Sequence, residues 1–305
     1  MTACRICLEL IEGQDAYHKK CLKTLFDTGR LPRLDIDTGK LHTAALAMVG
    51  HTSLSGIQKK ISLGLDAKKT ALTVVAEGGA YILKPQTGTY PAIPENEHVT
   101  TRLAELVGIE TAPSGLVELS DGTLAFIVRR FDRLADGRKV HQEDFCQLAE
   151  EPPKHKYQGS AELCIKLVKR FASEPLIELL KLYRLLVFTW WSGNGDMHLK
   201  NFSLLIDEEG IVRLTPAYDL VSTHLVIEND PLALTVGGKD QKLARGDWLR
   251  LADYAGLPRK PAERVLAEQA VATDAAIDLL GRSYLSEEHR SAYVELIQER
   301  SDRLG

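Results

Sequence analysis

Three oxygen-bearing side chains in the run GNGDMHLKNFSLLIDEEGIVRLTPAYDL at 193–220 have the types and spacing that phosphoryl transfer needs. Asp196 and Asn201 stand five positions apart, the separation of a proton-accepting base and a metal-ligating amide in a kinase catalytic loop. FSLLI reads as a strand, DEEG as a turn and IVRLT as the returning strand, with Asp219 just beyond it. Antiparallel strands bring their outer ends together. Asn201 and Asp219 are therefore expected to converge, with Asp196 near enough to take a proton from an incoming hydroxyl. Asp and Asn also serve turns through local hydrogen bonds, so this spacing gains its weight from companions elsewhere in the chain.

Three upstream segments supply those companions. HTSLSGIQKKISL at 51–63 is a polar, small-residue loop running into a strand, where backbone N–H groups and Lys59 or Lys60 could cover phosphates. It holds one glycine and matches neither a G-x-G-x-x-G nor a Walker pattern. Lys84 closes the strand AYILK, and Glu97 at the start of the next helix is its candidate ion-pair partner, with Glu95 as the competitor. HQEDFCQL at 141–148 could present hinge backbone to adenine, or start a helix with Glu143 and Asp144 as first-turn charges; the two are compatible. In the 193–220 run itself, His198 could contact phosphate, and Lys200 could steady the transferred group or simply be exposed.

The elements that must carry these residues fall into two kinds. Residues 1–50 read as a short helical and loop preamble, with LHTAALAMVG as its last helical pattern. From 51 to 142 the chain reads as a β-rich lobe: ISLGL, ALTVV, AYILK, GLVEL, an Asp121-Gly122 turn, and TLAFIVRRF. One helix, ENEHVTTRLAELVG at 95–108, interrupts those strands and ends on Gly108. Residues 143–305 read as a mainly α-helical lobe with helices at 160–173, 176–191, 259–281 and 286–303, and the Asn201 hairpin as an island among them. The expected fold is α+β and two-lobed, kinase-like, with a small β-rich lobe, a larger helical one and an ATP cleft between them.

Composition excludes several classes. The 38 Lys and Arg against 42 Asp and Glu leave a formal charge of −4, which gives no reason to expect direct nucleic-acid binding. LIELLKLYRLLVFTWW at 176–191 is broken by Glu178, Lys181 and Arg184, which suits a buried core helix better than a membrane span. MTACRICLEL lacks a basic region followed by an apolar run, so no secretory signal is expected and the cytoplasm is the expected compartment. Disulfides are then not expected among the five cysteines. Cys4, Cys7, His18 and Cys21 form C-x2-C and H-x2-C pairs, a zinc-ligand spacing that would be structural. The segment between the pairs is short and small cysteines often fill apolar positions, so packing ranks ahead of zinc. Cys146 and Cys164 sit in apolar surroundings and read as core.

Seven segments in order resemble the HipA-like toxin serine/threonine kinases of bacterial toxin–antitoxin systems. They are SLSGIQKKISL at 53–63, YILKP at 81–85, NEHVTTRLAELVG at 96–108, VRRFDR at 128–133, HQEDFCQL at 141–148, GNGDMHLKNFSLL at 193–205 and TPAYDLVST at 215–223. The resemblance implies Asp196 as catalytic base, Lys84 as the ATP-phosphate lysine, Asn201 and Asp219 as magnesium ligands and His198 as an ATP contact. It implies Glu143, Asp144 and Phe145 as the adenine hinge, and Ser55, Gly56, Ile57, Gln58, Lys59 and Lys60 as the loop over the phosphates. The family's autophosphorylation on a serine of that loop would fall here on Ser53 or Ser55.

Departures from ordinary protein kinases are equally informative. Gly195 stands where they have Arg before the base, Tyr218-Asp219-Leu220 replaces Asp-Phe-Gly, and no Ala-Pro-Glu segment is evident. Only about fifty residues precede the phosphate loop, so the resemblance is to the short HipT type of HipBST-like systems. There a HipS-like small protein supplies the missing subdomain and a HipB-like helix-turn-helix protein completes the operon. The resemblance implies an aminoacyl-tRNA synthetase as substrate, tryptophanyl-tRNA synthetase for the short type. A small-molecule kinase, or a non-catalytic nucleotide-binding module that holds an antitoxin, remain the alternatives.

Overall fold

A computed structural model describes residues 2–34, 36, 52–53, 58–134 and 136–305, with backbone alone at 52–53 and 58–59. The helical pattern read at 41–50 and the loop residues Ser55, Gly56 and Ile57 lie outside the described residues. The chain forms two compact units: Met1–Arg102 with Ala112–Arg138 and Leu279–Ser286, and Leu103–Thr111 with Lys139–Asp278 and Glu287–Gly305.

The first unit is built on an antiparallel sheet. Its strands, with the two short pairs that accompany them, are β1 (Thr2–Ala3), β2 (Leu10–Ile11), β3 (Thr52–Ser53), β4 (Gln58–Lys59), β5 (Ile61–Leu65), β6 (Leu72–Val74), β7 (Tyr81–Pro85), β8 (Ser114–Glu118) and β9 (Leu124–Arg129). The main sheet runs β6-β5-β7-β9-β8, while β1 pairs with β2 and β3 with β4. Alternation along each strand sorts the faces. Ile61, Leu63, Tyr81, Leu83, Val117, Ala125 and Ile127 share one core with helix α1 (Lys19–Phe26), which contributes Cys21, Leu22, Leu25 and Phe26 to it. Lys84 lies one position out of phase with Leu83, opposite Phe126 in the β7–β9 register, and so points to the other face.

On that other face helix α2 (Ile93–Leu106) brings up Glu97. It begins two residues before the expected start and is followed by Gly108 at φ +76°, the left-handed position a glycine reaches without strain. The N-terminal segment covers the β8 edge: the Leu116 N–H donates to the Arg5 carbonyl at 2.7 Å, and Tyr17 Oη donates to the Leu116 carbonyl at 3.0 Å. An exposed edge would invite pairing with another chain. Gly115 is required there, because a Cβ would come within 2.7 Å of Ile6 Cγ1 and 3.0 Å of the Arg5 carbonyl.

The second unit is mainly helical around one small sheet. Strand β10 (His141–Asp144) leads into a single turn α3 (Phe145–Leu148), followed by α4 (Ala161–Phe171) and α5 (Pro175–Trp191). The hairpin β11 (Ser203–Ile206) and β12 (Val212–Leu214) comes next, then α6 (Arg245–Ala255), α7 (Arg259–Val271), α8 (Thr273–Gly281) and α9 (Glu287–Asp302). The sheet order is β10-β11-β12. The charged residues that interrupt the apolar α5 are all engaged. Buried Glu178 accepts from the Leu214 N–H and from Lys181, both at 2.8 Å, and Arg184 pairs with Glu268 at 2.6 Å. Cys146 and Cys164 are buried, as expected. No helix among the described residues is long and apolar enough to cross a membrane.

Two expectations are corrected. The single helix expected at 259–281 is two, broken at Ala272, where Thr273 Oγ1 turns to the Ala270 carbonyl at 2.8 Å and to Ser301 Oγ at 2.7 Å. Helix α6 was not expected. Its start is marked by Asp247, whose carboxylate accepts from the Ala244 N–H at 3.0 Å.

Candidate active site

Helix α5 ends at Trp191, and the residues that follow are held by side-chain amides bonded to backbone groups. Asn194, buried, spans two of the singled-out acids: its Oδ1 accepts from the Asp196 N–H at 3.1 Å and its Nδ2 donates to the Asp219 carbonyl at 3.3 Å. Asn201, closing a short 3-10 turn at Leu199–Asn201, donates from Nδ2 to the Asp196 carbonyl at 3.0 Å. Asp196, Asn201 and Asp219 thus form one hydrogen-bonded constellation. With its Nδ2 engaged on Asp196, the atom Asn201 retains for a cation is Oδ1. Asp219 has φ +56°, a left-handed conformation that Asp tolerates better than most residues and that costs on the order of 1 kcal/mol.

The absence of a side chain at Gly195 has a local cause. A Cβ would come within 2.0 Å of Asp230 Oδ2 and 2.5 Å of the Pro231 carbonyl, while the Gly195 N–H donates to Thr223 Oγ1 at 2.7 Å. The segment 223–231 therefore packs onto the loop too closely for the arginine of ordinary kinases. Burial raises the Asp196 carboxyl above the usual aspartate range; the Tyr157 hydroxyl, donating to Oδ1 at 2.5 Å, and Lys156 oppose the rise, and Asp219 and Asp230 add to it.

His198 is buried and meets the Tyr157 ring edge-on at 5.0 Å between centroids. Burial, with Lys156 nearby, pushes its imidazole down to about 4, so it is neutral at pH 7. His98 in the first unit donates from Nε2 to the Ile6 carbonyl at 2.9 Å and is pushed down to about 3, again by burial and then by Arg102. In the unfolded chain both would titrate near 6.5. The unfolded state therefore binds more protons than the native one below that pH, and stability is lost on acidification from about pH 6.5 towards pH 4. The His198 contribution alone is on the order of 3 kcal/mol. Thermal melts at pH 8, 6 and 5 are expected to show a falling melting temperature below pH 6.5; a flat profile over that interval would contradict it.

At residues 143–145, expected from the sequence as a hinge, β10 is the edge strand of its sheet, with Glu143 opposite Leu204 and Asp144 opposite Ser203. Asp144 caps α3, accepting from the Gln147 N–H at 2.9 Å, and receives Lys200 at 3.0 Å. Lys200 is thus engaged with Asp144 and about one-third exposed. Phe145 is buried against Phe202, and its N–H donates to the Phe202 carbonyl at 2.9 Å, leaving Glu143 and Asp144 as the edge residues of the segment. The network continues through Gln142 to Ser203 Oγ at 3.0 Å, Ser203 to Tyr218 Oη at 2.6 Å, and Tyr218 Oη to the Lys200 carbonyl at 2.9 Å, which fixes the residue next to Asp219.

In the first unit Lys84 and Glu97 form a buried ion pair, and Lys84 Nζ lies 5.6 Å from the Phe126 ring centroid. Glu95, the competing carboxylate, is raised by burial. Of the loop, Ser53 pairs with Gln58 and Thr52 with Lys59 through their backbones, and Lys60 is half-buried.

The sequence matches the HipA-like C-terminal domain over residues 52–277. The chain belongs to that family. Two Sinorhizobium fredii proteins named as kinases, Y4mE and Y4dM, are 37% and 36% identical to it over 218 and 227 residues, 67% and 68% of this chain. The aligned regions are 51% and 54% of those proteins, so the chain spans about half the length of these curated relatives. A Haemophilus influenzae protein also named as a kinase is 28% identical over 84% of this chain and 80% of its own. Two solved structures share the fold. One is HipA of Shewanella oneidensis MR-1, from its complex with HipB and operator DNA (TM-score 0.71, 22% identity, 97% of this chain and 73% of that one). The other is the Helicobacter pylori proinflammatory kinase CtkA (TM-score 0.61, 14% identity, 90% and 93%). The α+β, kinase-like fold expected from the sequence, with a β-sheet part followed by a helical part, is the one these HipA-like and CtkA structures share.

Within this HipA-like chain, sequence reasoning missed Tyr157 and Asn194. Asn194 was visible inside GNGD as a polar residue flanked by glycines. Tyr157, in KHKYQGS, carries no local signal and is identified only by its hydrogen bond to Asp196.

Proposed function

We propose that this HipA-like chain is an ATP- and magnesium-dependent serine/threonine protein kinase of the short HipT type, acting in the cytoplasm as the growth-inhibiting toxin of a toxin–antitoxin system. The observation that carries the reading is the hydrogen-bonded constellation of Asp196, Asn194, Asn201 and Asp219. The kinase names of its relatives support it.

The donor set fits a hard divalent cation: a carboxylate on Asp219 and an amide oxygen on Asn201 are the oxygen ligands magnesium takes beside phosphate. Magnesium, when bound, neutralises charge on the phosphates. Asp196 orients the incoming hydroxyl and accepts its proton as the oxygen attacks the γ-phosphorus and the bond to ADP breaks. Its raised carboxyl makes it a stronger proton acceptor than an ordinary aspartate. Lys84, oriented by Glu97, supplies positive charge to ATP phosphates; His198 is an uncharged ATP contact; Glu143 to Phe145 form the adenine hinge; and Ser55 to Lys60 cover the phosphates. On this reading residues 51–142 are the nucleotide-covering lobe and 143–305 the catalytic lobe, with 1–50 as a preamble.

Self-phosphorylation on Ser53 or Ser55 adds about −1.5 to −2 charge beside the nucleotide phosphates and repels them, so the kinase limits itself. The partners are a HipS-like antitoxin and a HipB-like helix-turn-helix protein, in line with the HipB-containing complex solved for Shewanella HipA. The substrate is tryptophanyl-tRNA synthetase.

Incubation with Mg·ATP followed by mass spectrometry is expected to put phosphate on the peptide carrying Ser53 and Ser55, and on added tryptophanyl-tRNA synthetase. The peptide phosphate should vanish in the Ser53→Ala/Ser55→Ala chain. Stabilisation by ATP with no transfer to either protein would mark a nucleotide-binding module instead.

Tyr157 gives the reading a pH signature. Its hydroxyl holds down the raised Asp196 carboxyl, so Tyr157→Phe is expected to move the acid limb of the pH–rate profile to higher pH. The plateau should fall by less than about tenfold. An unmoved acid limb would remove Asp196 as the titrating base.

A further inference from the structure

The ligand atoms of Cys4, Cys7, His18 and Cys21 all lie within 4.8 Å of one another, far from the Asp196 loop in sequence and in the other unit. Separate elements bring them together. Cys4 and Cys7 lie in the loop between β1 and β2, His18 precedes α1, and Cys21 sits in the first turn of that helix. Cys7 Sγ is 3.4 Å from His18 Nδ1 and Cys21 Sγ is 3.9 Å from it.

A tetrahedral zinc with Zn–S near 2.3 Å and Zn–N near 2.05 Å requires ligand separations of about 3.6–3.8 Å. The two sulfur–nitrogen distances, 3.4 and 3.9 Å, bracket that edge length. A disulfide would need about 2.05 Å between two sulfurs, and all three cysteines are free thiols. A second observation points the same way: the Ile6 and His18 N–H groups both donate to Cys4 Sγ, at 3.4 and 3.5 Å. Backbone donors on a ligand sulfur are the outer-shell contacts that stabilise a thiolate bound to metal. Packing alone would account for buried Cys4 and Cys21. It gives no reason for half-buried Cys7 and His18 to turn their polar atoms to the same point.

We propose that Cys4, Cys7, His18 and Cys21 bind one zinc ion, a closed structural site that fastens the N-terminal segment over the β8 edge. The loop it ties is continuous with the cover described above. Arg5 takes the Leu116 N–H and pairs with Glu118 at 2.6 Å, and the Ile6 carbonyl holds His98, the neighbour of Glu97 on α2. From the other side Tyr284 donates to the Ala3 carbonyl at 2.5 Å. The metal therefore anchors the strand edge and, through Ile6 and His98, the helix that carries the partner of Lys84.

The full chain, purified without chelator in reducing buffer from zinc-supplemented cells, is expected to contain one zinc per chain by elemental analysis. Cys7→Ser/Cys21→Ser should lose it. Because that variant could misfold, cobalt titration of the zinc-stripped wild-type chain provides a second reading, with a tetrahedral thiolate spectrum and a rise in melting temperature as one equivalent binds. Zinc absent from the wild-type chain, a cobalt spectrum without thiolate charge transfer, or full zinc retention in the double variant would each overturn the proposal.

Discussion

Asp196→Asn is expected to reduce phosphoryl transfer by about 10²–10⁴-fold, the usual contribution of a positioned general base, while the fold remains intact. An amide of the same shape can still accept the Tyr157 hydroxyl at Oδ1, and the bonds from the His198 N–H and the Asn201 Nδ2 to the residue-196 carbonyl do not involve the altered group. Replacing a carboxylate that burial already disfavours removes a desolvation cost, so the melting temperature should stay level or rise. The substituted chain can orient a hydroxyl but cannot take its proton. Initial-rate measurement of phosphate transfer, with thermal melts on the same samples, separates the two quantities. A transfer rate within about tenfold of the parent would rule out Asp196 as the base.

The parts of this site that the sequence disclosed are those whose geometry is local. The hairpin after Asn201 was legible because two short strand-forming runs flank a turn ending at Gly210, φ +80°, and the ends of two adjacent strands have little choice but to meet. The β7 and α2 elements were legible for the same reason, although their periodicity did not decide between Glu95 and Glu97. The choice depends on which face of α2 meets the sheet, and that is a packing outcome. Strand β10 was not legible at all. HQED has no alternating apolar pattern and becomes a strand because the 203–206 backbone pairs with it. Tyr157 lies far from Asp196 in sequence, and no periodicity connects a loop tyrosine to a distant acid. The cysteine cluster was readable as spacing but ranked behind packing. Its convergence depends on two-residue strands and on where α1 starts, features too short to leave a pattern.

Lys84 and Glu97 give the other large expected effect, because their pair is almost wholly shielded from water, with side chains 4% and 2% exposed. Removing one partner breaks a charge-assisted bond that is shielded from water, so Lys84→Met or Glu97→Leu alone is expected to destabilise the fold by about 3–5 kcal/mol. Replacing both together removes the charge pair and its desolvation cost at once, so the double variant should recover most of that loss. Activity should behave differently. Both the Lys84 single variant and the double variant lack the positive charge proposed to act on ATP phosphates, and transfer should stay depressed by about 10²–10³-fold in each. Urea unfolding and transfer rates on the two single variants and the double variant therefore form a cycle in which stability returns and catalysis does not. If transfer returned together with stability, the ammonium would be a structural counterion of Glu97 and the phosphates would have to be met by another cation, for which Lys59 and Lys60 of the phosphate-loop segment are the candidates.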